Sequence, residues 1–129
     1  MDIEISPSVL KGKLSIPASK SCAHRAIICA ALAGGVSKLS GITMSKDIEA
    51  TISAMTALGA SFEINGNIVT VKGISGGIDG TDEIDCNESG STLRFLLPVA
   101  AALGSKTTFL RRGRLPQRPR PRRKLKHPL

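Results

Sequence analysis

Ser61-Phe62-Glu63-Ile64-Asn65-Gly66-Asn67-Ile68-Val69-Thr70-Val71 sets two alternating apolar runs on either side of Asn-Gly. Period-two alternation marks a half-buried strand, and Asn-Gly suits the tight turn that joins antiparallel strands. The stretch predicts a β-hairpin. Immediately upstream, Ile48, Ile52, Met55 and Leu58 fall 4, 3 and 3 residues apart. That is one apolar face of a helix starting at Asp47 and stopping at Gly59. Further back, Val36 to Gly41 reads as a short strand. Ala23 to Ala33 reads as a helix capped by Ser19 or Ser21 and ended by Gly34-Gly35. At the front, Ile3-Glu4-Ile5 and Gly12-Lys13-Leu14-Ser15-Ile16-Pro17 alternate as short strands do.

Working outward in the other direction, a Gly-rich loop from Gly73 to Gly80 leads to a strand at Glu83 to Cys86. Asn87-Glu88-Ser89-Gly90-Ser91-Thr92 then opens a helix, Leu93 to Leu103, that Gly104 ends, and Lys106 to Leu110 reads as a strand. The predicted order is β-α-β-α-β-β followed by β-α-β. This is one unit and half of the next, an α/β (α+β) pattern with a repeat of about 65 residues.

The chain of 129 residues has room for one modest domain. Apolar residues are 41% but aromatic ones only 2%, so the expected core is aliphatic. No run is long and apolar enough to span a membrane, and the acidic start lacks the basic region of a signal peptide, which gives a cytoplasmic expectation. Cys22, Cys29 and Cys86 form no CxxC pair, and neither His24 nor His127 has a metal-binding spacing, so no metal is expected. Cys29, within an apolar stretch, reads as a small buried thiol.

The net charge of +8 is unevenly placed. Residues 1–108 carry 9 basic and 10 acidic groups, whereas residues 109–129 carry 9 basic and none acidic. High pI therefore describes the tail. A domain spans residues 1–119, and the basic tail, residues 120–129, has no periodicity and is expected to be disordered. A small basic nucleic-acid-binding protein is one competing reading. The slightly acidic folded part, with no Tyr or Trp for base stacking, argues against any specific nucleic-acid partner.

Chemistry concentrates at two helix starts. Lys20 and Ser21 precede a helix, and Arg25 follows Ser21 by one turn. Free N–H groups and the dipole favour an anion there, and Arg meets phosphate or carboxylate as a bidentate fork. Ser89, Gly90, Ser91 and Thr92 repeat the arrangement, with Arg94 one turn in. Gly90 leaves the backbone open to close approach. In Gly113-Arg114-Leu115-Pro116-Gln117-Arg118-Pro119, prolines on both sides of Arg118 stiffen its loop. Three anion-suited places on a small domain predict a ligand with more than one anionic group.

Leu14-Ser15-Ile16-Pro17-Ala18-Ser19-Lys20-Ser21 with His24-Arg25-Ala26, Asn87 through Phe95, and Leu115-Pro116-Gln117-Arg118-Pro119 resemble, in order and spacing, three signatures of the 5-enolpyruvylshikimate-3-phosphate (EPSP) synthases. The resemblance implies an enolpyruvyl-transferase-like inside-out barrel, of which this chain holds about one and a half β-α-β-α-β-β repeats of one domain. It implies transfer of the enolpyruvyl group of phosphoenolpyruvate to shikimate 3-phosphate, without metal or organic cofactor, by enzymes that are usually monomeric. On that basis Lys20, Ser21 and Arg25 would contact shikimate 3-phosphate, while Lys20, Gly90 and Arg118 would contact phosphoenolpyruvate. Asp47, Ser91 and Arg94 match further positions near the site. His24 departs from the Asn common in the family, and Lys46 stands where an acid often precedes Asp47.

The family's polypeptides are two-domain and several times longer, with ligands in the cleft between domains. Their first strands, here up to Pro17, pack with the other domain. The groups that move the proton are expected outside this chain, which is therefore expected to be inactive alone. The resemblance ends near Pro119, and the Arg/Pro/Lys string beyond it has the look of a frameshift or a misread gene end. A fragment of the related UDP-N-acetylglucosamine enolpyruvyl transferase is the other competing reading. Ser21, where that enzyme usually has Asn, argues against it.

Overall fold

The computed structural model describes residues 3, 4, 6, 7, 9, 11–74 and 83–118. Among these residues three helices and five strands follow in chain order: α1 (Lys20–Leu32), β1 (Val36–Ser40), α2 (Lys46–Ala57), β2 (Ser61–Asn65), β3 (Ile68–Lys72), β4 (Glu83–Asp85), α3 (Gly90–Ala102) and β5 (Thr108–Leu110). A 3-10 turn, Leu115–Gln117, comes last.

Each helix begins at a serine. Ser19, Ser45 and Ser89 sit at the N-caps, and their hydroxyls accept from the amides of Cys22, Ile48 and Thr92. A cap of this kind satisfies one of the amides that the first helical turn leaves without an acceptor.

The hairpin forms as expected, with Asn65 paired to Ile68. Its two-residue turn is Gly66-Asn67, and Gly66 takes the positive φ of 59° that such a turn needs at its first position. β3 is the centre of a three-stranded sheet ordered β1-β3-β2, antiparallel to both neighbours. β1 and β2 therefore run the same way, joined by α2, with β3 inserted between them.

Period two then fixes the faces. Val69 and Val71 are fully buried, flanked by Leu39 and Ile64 in one row and by Ser37 and Phe62 in the next. α1 and α2 pack on this sheet, and Ile27, Ile48, Met55 and, just past α2, Leu58 are fully buried in the same core. Every such side chain contributes about 1.5–3 kcal/mol of transfer free energy.

α3 joins two parallel strands, β4 and β5, and packs on α1 and α2. Close approach seals the other end of α1. Gly73 donates its amide to the Gly35 carbonyl and Ile74 to the Ala31 carbonyl, and a side chain at Gly73 would lie 1.7 Å from the Ala33 oxygen.

Several expectations change. The opening strands are absent among the described residues: 3, 4, 6, 7, 9 and 11–17 hold no strand, and Leu14 and Ile16 are more than four-fifths exposed. Alternation supplied the pattern, but a strand also needs a ladder partner for its N–H and C=O groups, and none among the described residues pairs with this segment. Cys29 is exposed, not buried. The inward face of α1 is carried by Ala23, His24, Ile27, Ile28, Ala30 and Ala31, which turns position 29 outward. The last strand starts at Thr108 rather than Lys106, and β4 ends at Asp85. Most of the Gly73–Gly80 loop, the boundary at Pro119 and the basic tail lie outside the described residues.

Candidate functional site

The first turns of α1, α2 and α3 are tied together. Lys20, the first residue of α1, places its Nζ 3.7 Å from the Asp47 carboxylate in the first turn of α2. Both side chains are largely in water, so the pair adds little stability and its importance is positional. α2 and α3 meet through hydroxyls: Thr51 Oγ1 lies 2.8 Å from Thr92 Oγ1, and Thr92 donates to Ser89 Oγ at 2.7 Å. His24 of α1 joins the set, its Nδ1 2.7 Å from Thr51 Oγ1.

His24, Thr51, Ser89 and Thr92 are at most 2% exposed. An orphaned group among them would cost about 1–3 kcal/mol. Among the described residues, however, no buried side-chain nitrogen or oxygen lacks a partner.

Three capped N-termini meeting in this way present first-turn amides and the positive ends of three helix dipoles on one side of the molecule. The same side lies at the carboxyl ends of the parallel strands β4 and β5, where loops of open α/β sheets gather ligands. Asn87 follows β4 in a left-handed turn (φ 49°) braced by Asp85, whose Oδ1 accepts from the Asn87 amide at 2.8 Å. Asp85 Oδ2 takes Arg112 Nε at 2.6 Å, and the Arg112 amide donates to the Asn87 carbonyl at 2.9 Å. These bonds, led by the Asn87 amide, hold the Asp85 carboxyl below its ordinary range. They also bind the segment after β5 to the start of α3.

Arg118, beyond the 3-10 turn, is thereby returned to the site. A side chain added at Gly90 would meet Arg118 Nη1 at 3.4 Å and Leu115 Cδ1 at 3.6 Å. Lys46, Asp47, Asn87, Glu88, Ser89 and Arg118 line a pocket of about 340 Å³.

The residues singled out from sequence therefore fall into two groups. Lys20, Asp47, Gly90 and Arg118 gather around the helix starts. Ser21, Arg25, Ser91 and Arg94 are exposed on the first turns of α1 and α3 or one turn along them. Arg25 folds back on α1, its Nε donating to the Ser21 carbonyl at 3.1 Å. Among the described residues, no three His, Cys, Asp or Glu side chains are grouped to hold a metal.

Ser45 and Thr51 do not stand out in the sequence, and Lys46 stands out only as a departure beside Asp47. Thr51 carried a usable signal: it lies three residues after Ile48 and four before Met55, so it interrupts the apolar stripe of α2 with a hydroxyl.

The family model for EPSP synthase (3-phosphoshikimate 1-carboxyvinyltransferase) matches residues 5–129. The chain is 45% identical over 117 residues to a 3-phosphoshikimate 1-carboxyvinyltransferase of Clostridium kluyveri, covering 91% of this chain and 28% of that relative. Its counterpart in Clostridium beijerinckii is 47% identical over 125 residues, covering 92% and 29%. The solved EPSP synthase of Acinetobacter baumannii superposes with a TM-score of 0.71 at 27% identity, over 84% of this chain and 25% of that one. The chain thus spans a little over a quarter of the length of the relatives it matches.

Proposed function

The chain belongs to the EPSP synthase family, and from that premise we propose that its three joined helix starts form the anion-binding half of an enolpyruvyl transfer site. The observation carrying this reading is the placement of Lys20 and Arg118, cations from distant parts of the sequence, beside the first turns of α1, α2 and α3.

Shikimate 3-phosphate offers a phosphate and a carboxylate, and phosphoenolpyruvate offers the same two groups. Lys20, Ser21 and Arg25 on α1 take shikimate 3-phosphate. Gly90 and Arg118, with Lys20, take phosphoenolpyruvate, the bare Gly90 backbone admitting it close to the α3 amides. Ser91 and Arg94 flank that position, and Asp47 orients Lys20. The relatives' names favour the shikimate substrate over UDP-N-acetylglucosamine.

Proton transfer needs a group positioned against the reacting carbon. Among the described residues, the carboxylates lining the pocket are Asp47, paired with Lys20, and Glu88, packed over Gly113. The acid and base are assigned to the remainder of a family-length polypeptide. In this reading the complete enzyme is a cytoplasmic monomer needing neither metal nor organic cofactor.

The test is a pair of measurements on the purified chain. Titration with shikimate 3-phosphate should shift the amide signals of Lys20, Ser21 and Arg25. Phosphate release from shikimate 3-phosphate and phosphoenolpyruvate should stay at background. Absence of binding removes the anion-site reading, and turnover removes the assignment of the acid and base elsewhere.

A further inference from the structure

We propose that Thr51, with His24 and Thr92, is the positioning centre of the anion site: a buried hydroxyl junction that holds three helix starts in one register. This rests on the anion-site reading and goes beyond it, because it assigns the site's geometry to side chains that do not line the pocket.

Three elements meet at one oxygen. Thr51 Oγ1 is 2.7 Å from His24 Nδ1 on α1, 2.8 Å from Thr92 Oγ1 on α3, and 3.2 Å from the Asp47 carbonyl one turn back on its own helix. The same carbonyl lies 3.4 Å from Thr92 Oγ1. Thr92 donates to Ser89 Oγ, and Thr51 shares its one proton between the Asp47 carbonyl and Thr92 Oγ1, with His24 Nδ1 as its third partner. Contacts joined through shared hydroxyls polarise one another.

The ends of the chain show what it positions. Asp47 carries both the carbonyl beside the two hydroxyls and the carboxylate that meets Lys20. Ser89 caps α3 immediately before Gly90, against which Arg118 rests. A movement at Thr51 is therefore passed to both residues beside the ligand. Apolar packing alone would fill this space as well with Val, which matches Thr in shape. What Val lacks is direction: apolar contacts tolerate small helix shifts, whereas bonds converging on one oxygen do not.

The experiment compares Thr51→Val and Thr51→Ser in the full chain, using thermal melting and amide spectra with and without shikimate 3-phosphate. Thr51→Val is expected to melt cooperatively, to shift the Lys20, Asp47 and Gly90 amides together, and to weaken binding about tenfold. Thr51→Ser, which keeps the hydroxyl and loses the methyl, is expected to restore both readouts to near wild type. A folded Thr51→Val with unmoved Lys20 and Gly90 signals and unchanged binding overturns the proposal. So does a Thr51→Ser as impaired as Thr51→Val, which would assign the effect to packing.

If Thr51→Val does not fold, Thr92→Val cuts the α2–α3 link alone and should move the Asp47 and Gly90 signals. Unmoved signals, or loss of folding in that variant too, overturn the positioning role. If the wild-type chain shows no binding, the anion-site reading fails separately, and the coupled amide shifts still decide the junction.

Discussion

At Gly73 one missing methyl group lets α1 close onto the sheet. An added Cβ would sit 1.7 Å from the Ala33 carbonyl oxygen and 2.9 Å from its carbon. Both are backbone atoms that no side-chain rotation can move. Gly73→Ala should therefore separate α1 from β3, loosen the bonds to Gly35 and Ala31, and cost about 2–3 kcal/mol or more, read from the urea midpoint. Gly90 is a contrasting case, because its nearest atom, Arg118 Nη1 at 3.4 Å, is the end of a flexible side chain. Composition could not tell these glycines apart, since the difference lies in what approaches each from a distant part of the chain. His24 makes a second residue-scale prediction. Burial pushes its imidazole below the ordinary value, with Asp47 partly opposing and Lys20 reinforcing the shift. The unfolded chain then binds the proton more readily than the folded one. The stability from neutral His24 is complete above the ordinary value of about 6.5 and is lost as pH falls through that value toward the lower folded one. The denaturation midpoint should start to drop as pH falls below about 6.5. His24→Asn should flatten this window, leaving a later fall where Asp85, held low by the Asn87 amide and Arg112, becomes protonated.

Elements were legible where their partners were local. The β2–β3 hairpin and the apolar stripe of α2 needed only short-range spacing, and both form as read. The front segment shows the converse, for alternation names the faces of a strand without supplying a neighbour to pair with. With Leu14 and Ile16 in water, a chain beginning at residue 18 should keep its unfolding free energy within about 0.5 kcal/mol, measured by urea denaturation. On α1 the inward stripe runs through residues 23, 24, 27, 28, 30 and 31, placing Cys22 and Cys29 on the outer side. Composition placed Cys29 in an apolar run, but the helix phase, set by where the sheet lies, turned it outward. Thiol titration of the folded chain with a disulfide reagent should therefore count two cysteines, and three after denaturation. Cys86 is the silent one, buried with its thiol pushed up to about 11 chiefly by desolvation. Cys22 should be reactive near neutral pH, because the Ser19 hydroxyl, with Arg25 beside it, lowers its thiol.

For the whole molecule, the candidate site was legible as residue types but not as an assembly. Ser-rich helix starts at Lys20 and Gly90 announced anion binding separately. Their union through Asp47, Thr51 and Thr92 depends on α2, whose cap Ser45 gives no sign in the sequence of lying beside the other two. The described structure also presents surfaces suited to further chain. β1 and β2 are the outer strands of their sheet, β4 and β5 form only a two-stranded ribbon, and Leu97 and Leu103 expose two-fifths or more of their surface. Open edges and apolar helix faces of this kind favour pairing with another polypeptide. The relatives extend over more than three times the length matched here. A second polypeptide carrying the part of the Clostridium kluyveri relative that this chain does not match should therefore bind it and complete the cleft. Phosphate release from shikimate 3-phosphate and phosphoenolpyruvate is expected only when the two are mixed. It should saturate with the second polypeptide and fall by at least about tenfold with Lys20→Ala or Arg118→Ala, each of which removes a cation from the anion-binding side. Release by the second polypeptide alone would show that this chain's cations are not part of the reacting site. Association without release would place the fault in the assembled geometry, and the Thr51 variants would then show whether the three helix starts had kept their register.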